Sequence, residues 1–272
     1  MADRFDVSRD GTVLAGERWP GGGQVVVLLH EGVADRRGWA EVAGLLAPEL
    51  TVVAYDRRGH GETPASPEPF SHLEDLLAVL DQVGAEPVWL VGASAGGGLA
   101  LDAAIVAPHR VAGLVVMGTA VGGAPQAELD ADTERLDALL DKAYEARAAE
   151  EINRLETWLW LDGPGQPEGR VGGAARELAL AMNAVIIAND GPESEGASGV
   201  DAWHRLAEIT VPVTVACGDL DVPFLVDRCR LLAGRLPNAR HRVLAGMAHQ
   251  PYLESPGTVA QLIRSAVTEG IS

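Results

Sequence analysis

Cysteine is nearly absent: Cys217 and Cys229 are the only two in 272 residues, twelve positions apart. So sparse a pair argues against a disulfide scaffold or a metal site and predicts two buried thiols. Aromatic residues are scarce at 4%, and one lysine, Lys142, stands among 21 basic residues facing 39 acidic ones. The net charge of -18 argues against nucleic acid or an anionic membrane as partner, because both require basic patches. No apolar run approaches the ~18 residues of a membrane span. The opening "MADRFDVSRD" lacks the apolar core of a signal peptide. No metal cluster or dinucleotide fingerprint occurs, and "GASAGGG" lacks the lysine of a phosphate loop. A cytoplasmic protein without cofactor, acting on a small molecule, is expected; monomer and homodimer both stay open.

Hydrophobic residues, by contrast, make up 47%. They cluster in short β-branched runs at 24–30, 50–56, 87–93, 111–119, 211–218 and 240–246. Continuous runs of this kind suit strands buried on both faces. Helical patterns separate them at 36–47, 70–83, 95–107, 224–235 and 256–268, and Asp10-Gly11 marks an N-terminal hairpin. The alternation predicts an α/β fold: a mostly parallel central sheet with helices on both faces. One interval breaks the rhythm. Residues 122–201 contain helical stretches and a Gly/Pro break, "DGPGQPEGRVGG", but no clear strand. They are expected to form an inserted helical cap over a core made of 1–121 and 202–272. The cap also collects charge, with seventeen acidic against seven basic residues between Pro125 and Arg205.

The stretch "VWLVGASAGGGLALDAAI" places Ser94 between Gly92 and Gly96, where an apolar strand meets a helix. Such a turn forces the serine into a strained conformation and lifts its hydroxyl above the sheet. The glycines remove side chains that would collide there, and the following helix aims its N-terminal amides at the reaction centre. A serine nucleophile needs a base, and the base needs an orienting carboxylate. Both should follow in chain order, on loops after later strands. After "VPVTVACG" come Asp219 and Asp221; after "RVLAG" comes His249.

These motifs together resemble the α/β-hydrolase fold family, here a serine hydrolase of esterase or lactonase type with a helical cap. The resemblance covers nearly the whole chain. It implies Ser94, Asp221 and His249 as catalytic residues, with Asp219 as the fallback acid. His60 would be structural, and His72, His109, His204 and His241 lie in helical or strand-flanking polar contexts. "LLHEGVADRRGW" matches the family's oxyanion loop, which implies the backbone amides of Ala95 and Gly32 as the oxyanion hole. The family usually has His-Gly where this chain has His30-Glu31. A carboxylate facing the oxyanion would hinder catalysis, so Glu31 is expected to turn away, into a salt bridge with Arg36, Arg37, Arg57 or Arg58. Its alternative role, like that of Trp158 and Trp160 in the cap, is substrate binding.

The expected reaction is hydrolysis of a small-to-medium apolar ester or lactone through an acyl-enzyme. Carbon-carbon bond hydrolysis of ring-cleavage products is the main rival, and would show as a basic cap residue (Arg154, Arg170 or Arg176) facing the serine. A perhydrolase is less favoured because "EGVADRRGW" has no proline, and a non-catalytic binding role because no member of the triad is missing.

Overall fold

The computed structural model describes residues 2–66, 68–84, 87–189 and 199–270; residues 190–198 of the expected cap lie outside them. Eight strands form one sheet: β1 (Asp3–Arg9), β2 (Thr12–Trp19), β3 (Val25–Leu29), β4 (Thr51–Tyr55), β5 (Val88–Ala93), β6 (Val111–Met117), β7 (Val213–Gly218) and β8 (Ala239–Leu244). Their order is β1-β2-β4-β3-β5-β6-β7-β8. From β4 to β8 all neighbours are parallel, while β2 runs antiparallel to both β1 and β4. The hairpin turns on Asp10 and Gly11, both at positive φ (46° and 75°), the geometry that matches strand twist.

Helices α1 (Ala40–Leu46), α2 (His72–Val83) and α3 (Ala95–Val106) fill the crossovers of the first half. The segment expected at 36–47 begins as a 3₁₀ turn, Arg36–Trp39, because Asp35 caps it by accepting from the Arg37 amide. The strands are apolar throughout because each face has its own layer to pack. Val27, Leu29, Leu90 and Val116 pack with the α2 and α3 side chains Leu76 and Leu101. Val26, Leu28, Val91 and Val115 point the other way, toward Trp39, Val42 and Ile263. This is the period-two alternation of a strand applied to a sheet covered on both sides.

Between β6 and β7 the chain leaves the sheet and forms α4 (Ala131–Glu145), α5 (Ala149–Thr157), a π-helical turn (Trp158–Asp162) and α6 (Gly173–Ala188). The continuous helical propensity of 131–161 is broken at Arg147, which takes a left-handed φ of 51°. Leu136, Leu140, Ile152, Leu155 and Leu159 of this insertion cluster with Val222 and Leu225. Its apolar interior is thus continuous with the segment that follows Asp221. The chain then continues through α7 (Ala202–Arg205), α8 (Pro223–Arg235), α9 (Pro251–Glu254) and α10 (Pro256–Gly270). No described helix is long and apolar enough to cross a membrane. Cys217 and Cys229 are both free and buried.

Candidate active site

Sequence order on either side of β3 runs in opposite directions across the sheet, and ligands gather at the carboxyl ends of strands beside such a reversal. The segments following β3, β5, β7 and β8 carry Glu31, Ser94, Asp221 and His249 respectively.

Ser94 has φ 49° and ψ -116°, strained for a residue with a side chain. The strain is held by the Ser94 amide donating to the Met117 carbonyl at 2.8 Å. A side chain at Gly92 would run into the Gly96 backbone, and one at Gly96 into the carbonyls of Leu29 and His30. The two glycines therefore let helix α3 pass close against the strand ends. Ala95 is the first residue of α3, so its amide has no partner within the helix.

His249 is 3% exposed and its Nδ1 donates to both carboxylate oxygens of Asp221, at 3.0 and 2.9 Å. Asp221 also accepts from the Val222 amide at 2.7 Å and from the Cys217 thiol at 3.4 Å. Asp219, by contrast, is exposed and accepts from the Gly246 amide at 2.6 Å, so it braces a turn away from the imidazole. Gly118, with φ 52°, leaves room for the pair: a Cβ there would lie 2.8 Å from His249 Nδ1 and 2.9 Å from Asp221 Oδ2.

In the loop after β3, His30 Nε2 accepts from the Arg57 amide at 3.0 Å, so Nδ1 carries the proton and donates to the Glu31 carbonyl at 2.8 Å. Burial, and then Arg57, hold the His30 pKa well below its ordinary value. Arg57 Nη2 donates to the same Glu31 carbonyl at 2.9 Å. With that carbonyl fixed, the trans peptide aims the Gly32 N–H the opposite way. His60 braces the next carbonyl, with Nε2 3.1 Å from Gly32 O.

The expectation that Glu31 turns away from the cavity to pair with Arg36, Arg37, Arg57 or Arg58 is overturned. Arg36 pairs with Asp56, Arg37 with Asp35 and Arg58 with Asp75, while Arg57 takes the Glu31 carbonyl rather than its carboxylate. Glu31 instead lies 1% exposed beside the Ser94 cavity, bonded to the Gln250 amide, with Oε2 3.7 Å from His249 Nε2. Burial raises its pKa, against the pull of His249 and Gln250. His249 responds to the same environment: burial lowers its pKa, but Asp221 and then Glu31 outweigh it, raising the value to about 9.

Ser94, His249, Glu31 and Gly32 border one cavity of about 390 Å³, and Tyr144, Ile152, Glu156, Trp160, Asn183, Ile186 and Ile187 from the inserted helices form its other wall. Trp160 therefore reaches the cavity, with its ring centroid 4.7 Å from that of His249. Trp158 does not. Its indole donates to Gln166 O at 2.8 Å, Arg135 lies over its face, and it packs inside the insertion. The two are two residues apart, so helical geometry turns them to different sides. None of the three cap arginines that would mark a carbon-carbon hydrolase by facing the serine lines the cavity. Arg154 is bonded to Glu151 and Glu168, Arg170 to Glu254 and the Asp162 carbonyl, and Arg176 to Asp162.

Comparison with known proteins places this architecture. The family model described as alpha/beta hydrolase fold matches residues 24–256. The chain belongs to the α/β-hydrolase fold family. A protein of Caulobacter vibrioides provisionally named as a carbamate hydrolase is 30% identical to this α/β-hydrolase, over 90% of its chain and 91% of the relative. The pimeloyl-[acyl-carrier protein] methyl ester esterase of Pectobacterium atrosepticum is 27% identical, covering 88% of this chain and 92% of its own. A 2-hydroxy-6-oxononadienedioate/2-hydroxy-6-oxononatrienedioate hydrolase of Cupriavidus pinatubonensis is 29% identical, covering 84% and 81%.

Two groups at or behind this hydrolase's cavity wall escape sequence reading. Gln250, the donor to Glu31, follows the histidine directly but belongs to no motif. Asn183 donates to Glu156 at 2.7 Å, and Tyr144 donates to the other Glu156 oxygen at 2.6 Å, which forms a polar patch in the far wall. The available signal was a lone asparagine in the otherwise apolar "LALAMNAVIIA".

Proposed function

We propose that this α/β-hydrolase cleaves a small-to-medium, uncharged carboxylic ester or lactone through an acyl-enzyme on Ser94. His249 takes the Ser94 proton as Oγ attacks the carbonyl carbon, and then returns it to the leaving alkoxide. Asp221 fixes the imidazole tautomer and stabilises the imidazolium. The amides of Ala95 and Gly32 receive the developing oxyanion. Water, activated by His249, releases the acid. The inserted helices act as the cap, and set specificity through Trp160 and the aliphatic wall of Ile152, Ile186 and Ile187.

The observation that carries this reading is the wall of the cavity. Its described lining contains Glu31 and Glu156 but no lysine or arginine, and residues 190–198 contain neither in sequence. A ring-cleavage acid carries carboxylates that such a wall would repel, which disfavours carbon-carbon hydrolysis despite the Cupriavidus relative. Ester, carbamate and lactone cleavage share the same acyl chemistry, and a cavity of about 390 Å³ lies in the range of small-ligand sites. The test is a panel of neutral esters, lactones and monoanionic half-esters of matched length. Neutral substrates should exceed their anionic isosteres at least about tenfold in kcat/KM, the ratio expected from one unfavourable charge contact. A preference for the anions would overturn the assignment.

A further inference from the structure

We propose that Glu31 is a positioning residue for His249: Asp221 holds Nδ1, Glu31 faces Nε2, and the second carboxylate sets the pH at which Nε2 is free to act as base. The inference rests on the serine-hydrolase reading and adds to it a residue that stands where the family carries glycine.

The geometry is specific. Glu31 Oε1 accepts from Gln250, while Oε2 lies 3.7 Å from His249 Nε2, and the neutral Tyr252 phenol is the other group hydrogen-bonded to the carboxyl. A buried carboxylate without a counter-charge is costly. No arginine or lysine bonds the Glu31 carboxyl group among the described residues, so His249 is the cation within reach. The backbone leaves little choice of direction, because His30 and Arg57 grip the Glu31 carbonyl.

Groups from every neighbouring element bear on the pair. Asp221, after β7, and Cys229, on α8, act on His249. Cys217, at the end of β7, donates to Asp221. Tyr252, on α9, acts on Glu31, and its own phenol is held neutral by burial and then by the Glu31 charge. Trp160 covers the imidazole from the insertion. The two carboxylates are thus the main charges that favour a protonated ring, with Cys229 acting more weakly in the same direction.

During acylation the Ser94 hydroxyl proton moves to Nε2 while Oγ bonds to the acyl carbon. The resulting imidazolium lies between two anions, and the proton then leaves with the alkoxide. In the resting enzyme the same two anions keep the ring protonated to higher pH, which postpones activity into the alkaline range. An opposite charge at this distance moves a pKa by about one unit or more.

The experiment follows His249 by NMR with ¹³C-labelled histidine in Ser94→Ala protein, so no turnover is needed, and assigns its signal by loss in His249→Gln. The ring should titrate well above 6.5 and fall by about one unit when Glu31→Gln is added. Glu31→Asp, with a shorter reach, should give an intermediate midpoint. In protein with Ser94 present, the rising limb of kcat/KM should move toward acid by the same amount in Glu31→Gln. An unmoved midpoint and limb in folded Glu31→Gln would overturn the proposal. Should that variant not fold, a wild-type His249 midpoint at or below 6.5 overturns it equally. Hydrolysis that survives Ser94→Ala would sink the serine-hydrolase reading instead, while the titration would still decide the role of Glu31.

Discussion

Trp160 and His249 join the inserted helices to the core: their ring centroids are 4.7 Å apart at an interplanar angle of 43°, and the His249 amide donates to the Trp160 carbonyl at 3.2 Å. A residue of the insertion therefore touches both the imidazole and the cavity. Trp158, two positions earlier, touches neither.

This contrast yields a paired prediction. Trp160→Ala should change the chain-length profile of kcat/KM, by about tenfold for the best substrate, because an apolar contact of that size is worth about 1–3 kcal/mol. Trp158→Ala should leave the profile alone and lower stability by about 2 kcal/mol, through lost packing and a lost indole hydrogen bond. Thermal midpoints and substrate profiles of both variants check this. An exchange of the two phenotypes would show that the cavity wall has been assigned to the wrong tryptophan.

Ser94→Ala should remove labelling by a fluorophosphonate probe and abolish turnover, with the thermal midpoint preserved. Asp221→Asn should lose about 10⁴-fold in kcat, because the amide no longer fixes the imidazole tautomer. Asp219→Asn should lose far less, since Asp219 holds only the Gly246 turn. If Asp219→Asn proved the more damaging of the two, the acid would have to be reassigned.

The pH profile should depart from that of a free histidine. The base must be neutral to accept a proton, so acylation should rise through an apparent pKa of about 9 rather than near 6.5. Stability has the opposite sign. A histidine whose folded pKa is raised stabilises the fold fully below its unfolded value, and that contribution fades as pH rises through about 9. Between pH 7 and 9 the wild type should therefore gain activity while losing stability, and His249→Gln should lack this part of the stability change. Rate profiles under conditions where chemistry is limiting, with denaturant melts at each pH, measure both.

Gly118→Ala should be damaging although it adds one methyl group. The new Cβ would meet His249 Nδ1 at 2.8 Å and Asp221 Oδ2 at 2.9 Å, on a backbone with φ 52° that disfavours side chains. A loss of about 10²-fold in kcat/KM is expected, the usual result of displacing a catalytic group by an ångström. Wild-type rates would mean that the His249–Asp221 pair tolerates a shift of this size.

Local pattern determined a good deal about this protein. The β-branched runs specify strands buried on both faces, and Gly92-x-Ser94-x-Gly96 at a strand-helix joint specifies the strained turn, because both depend on neighbours a few residues away. The positions of Asp221 and His249 follow from strand order. Contacts between distant residues decided the rest. Glu31 faces His249 because Gln250, 219 residues along the chain, donates to it and because Asp56, Asp35 and Asp75 occupy the arginines expected to pair with it. Trp160 rather than Trp158 reaches the cavity because a π-helical turn and the packing of α4 and α5 fix which side faces down. A charge or a ring can be placed in a motif by sequence, but its direction depends on which partners the folded chain leaves unoccupied.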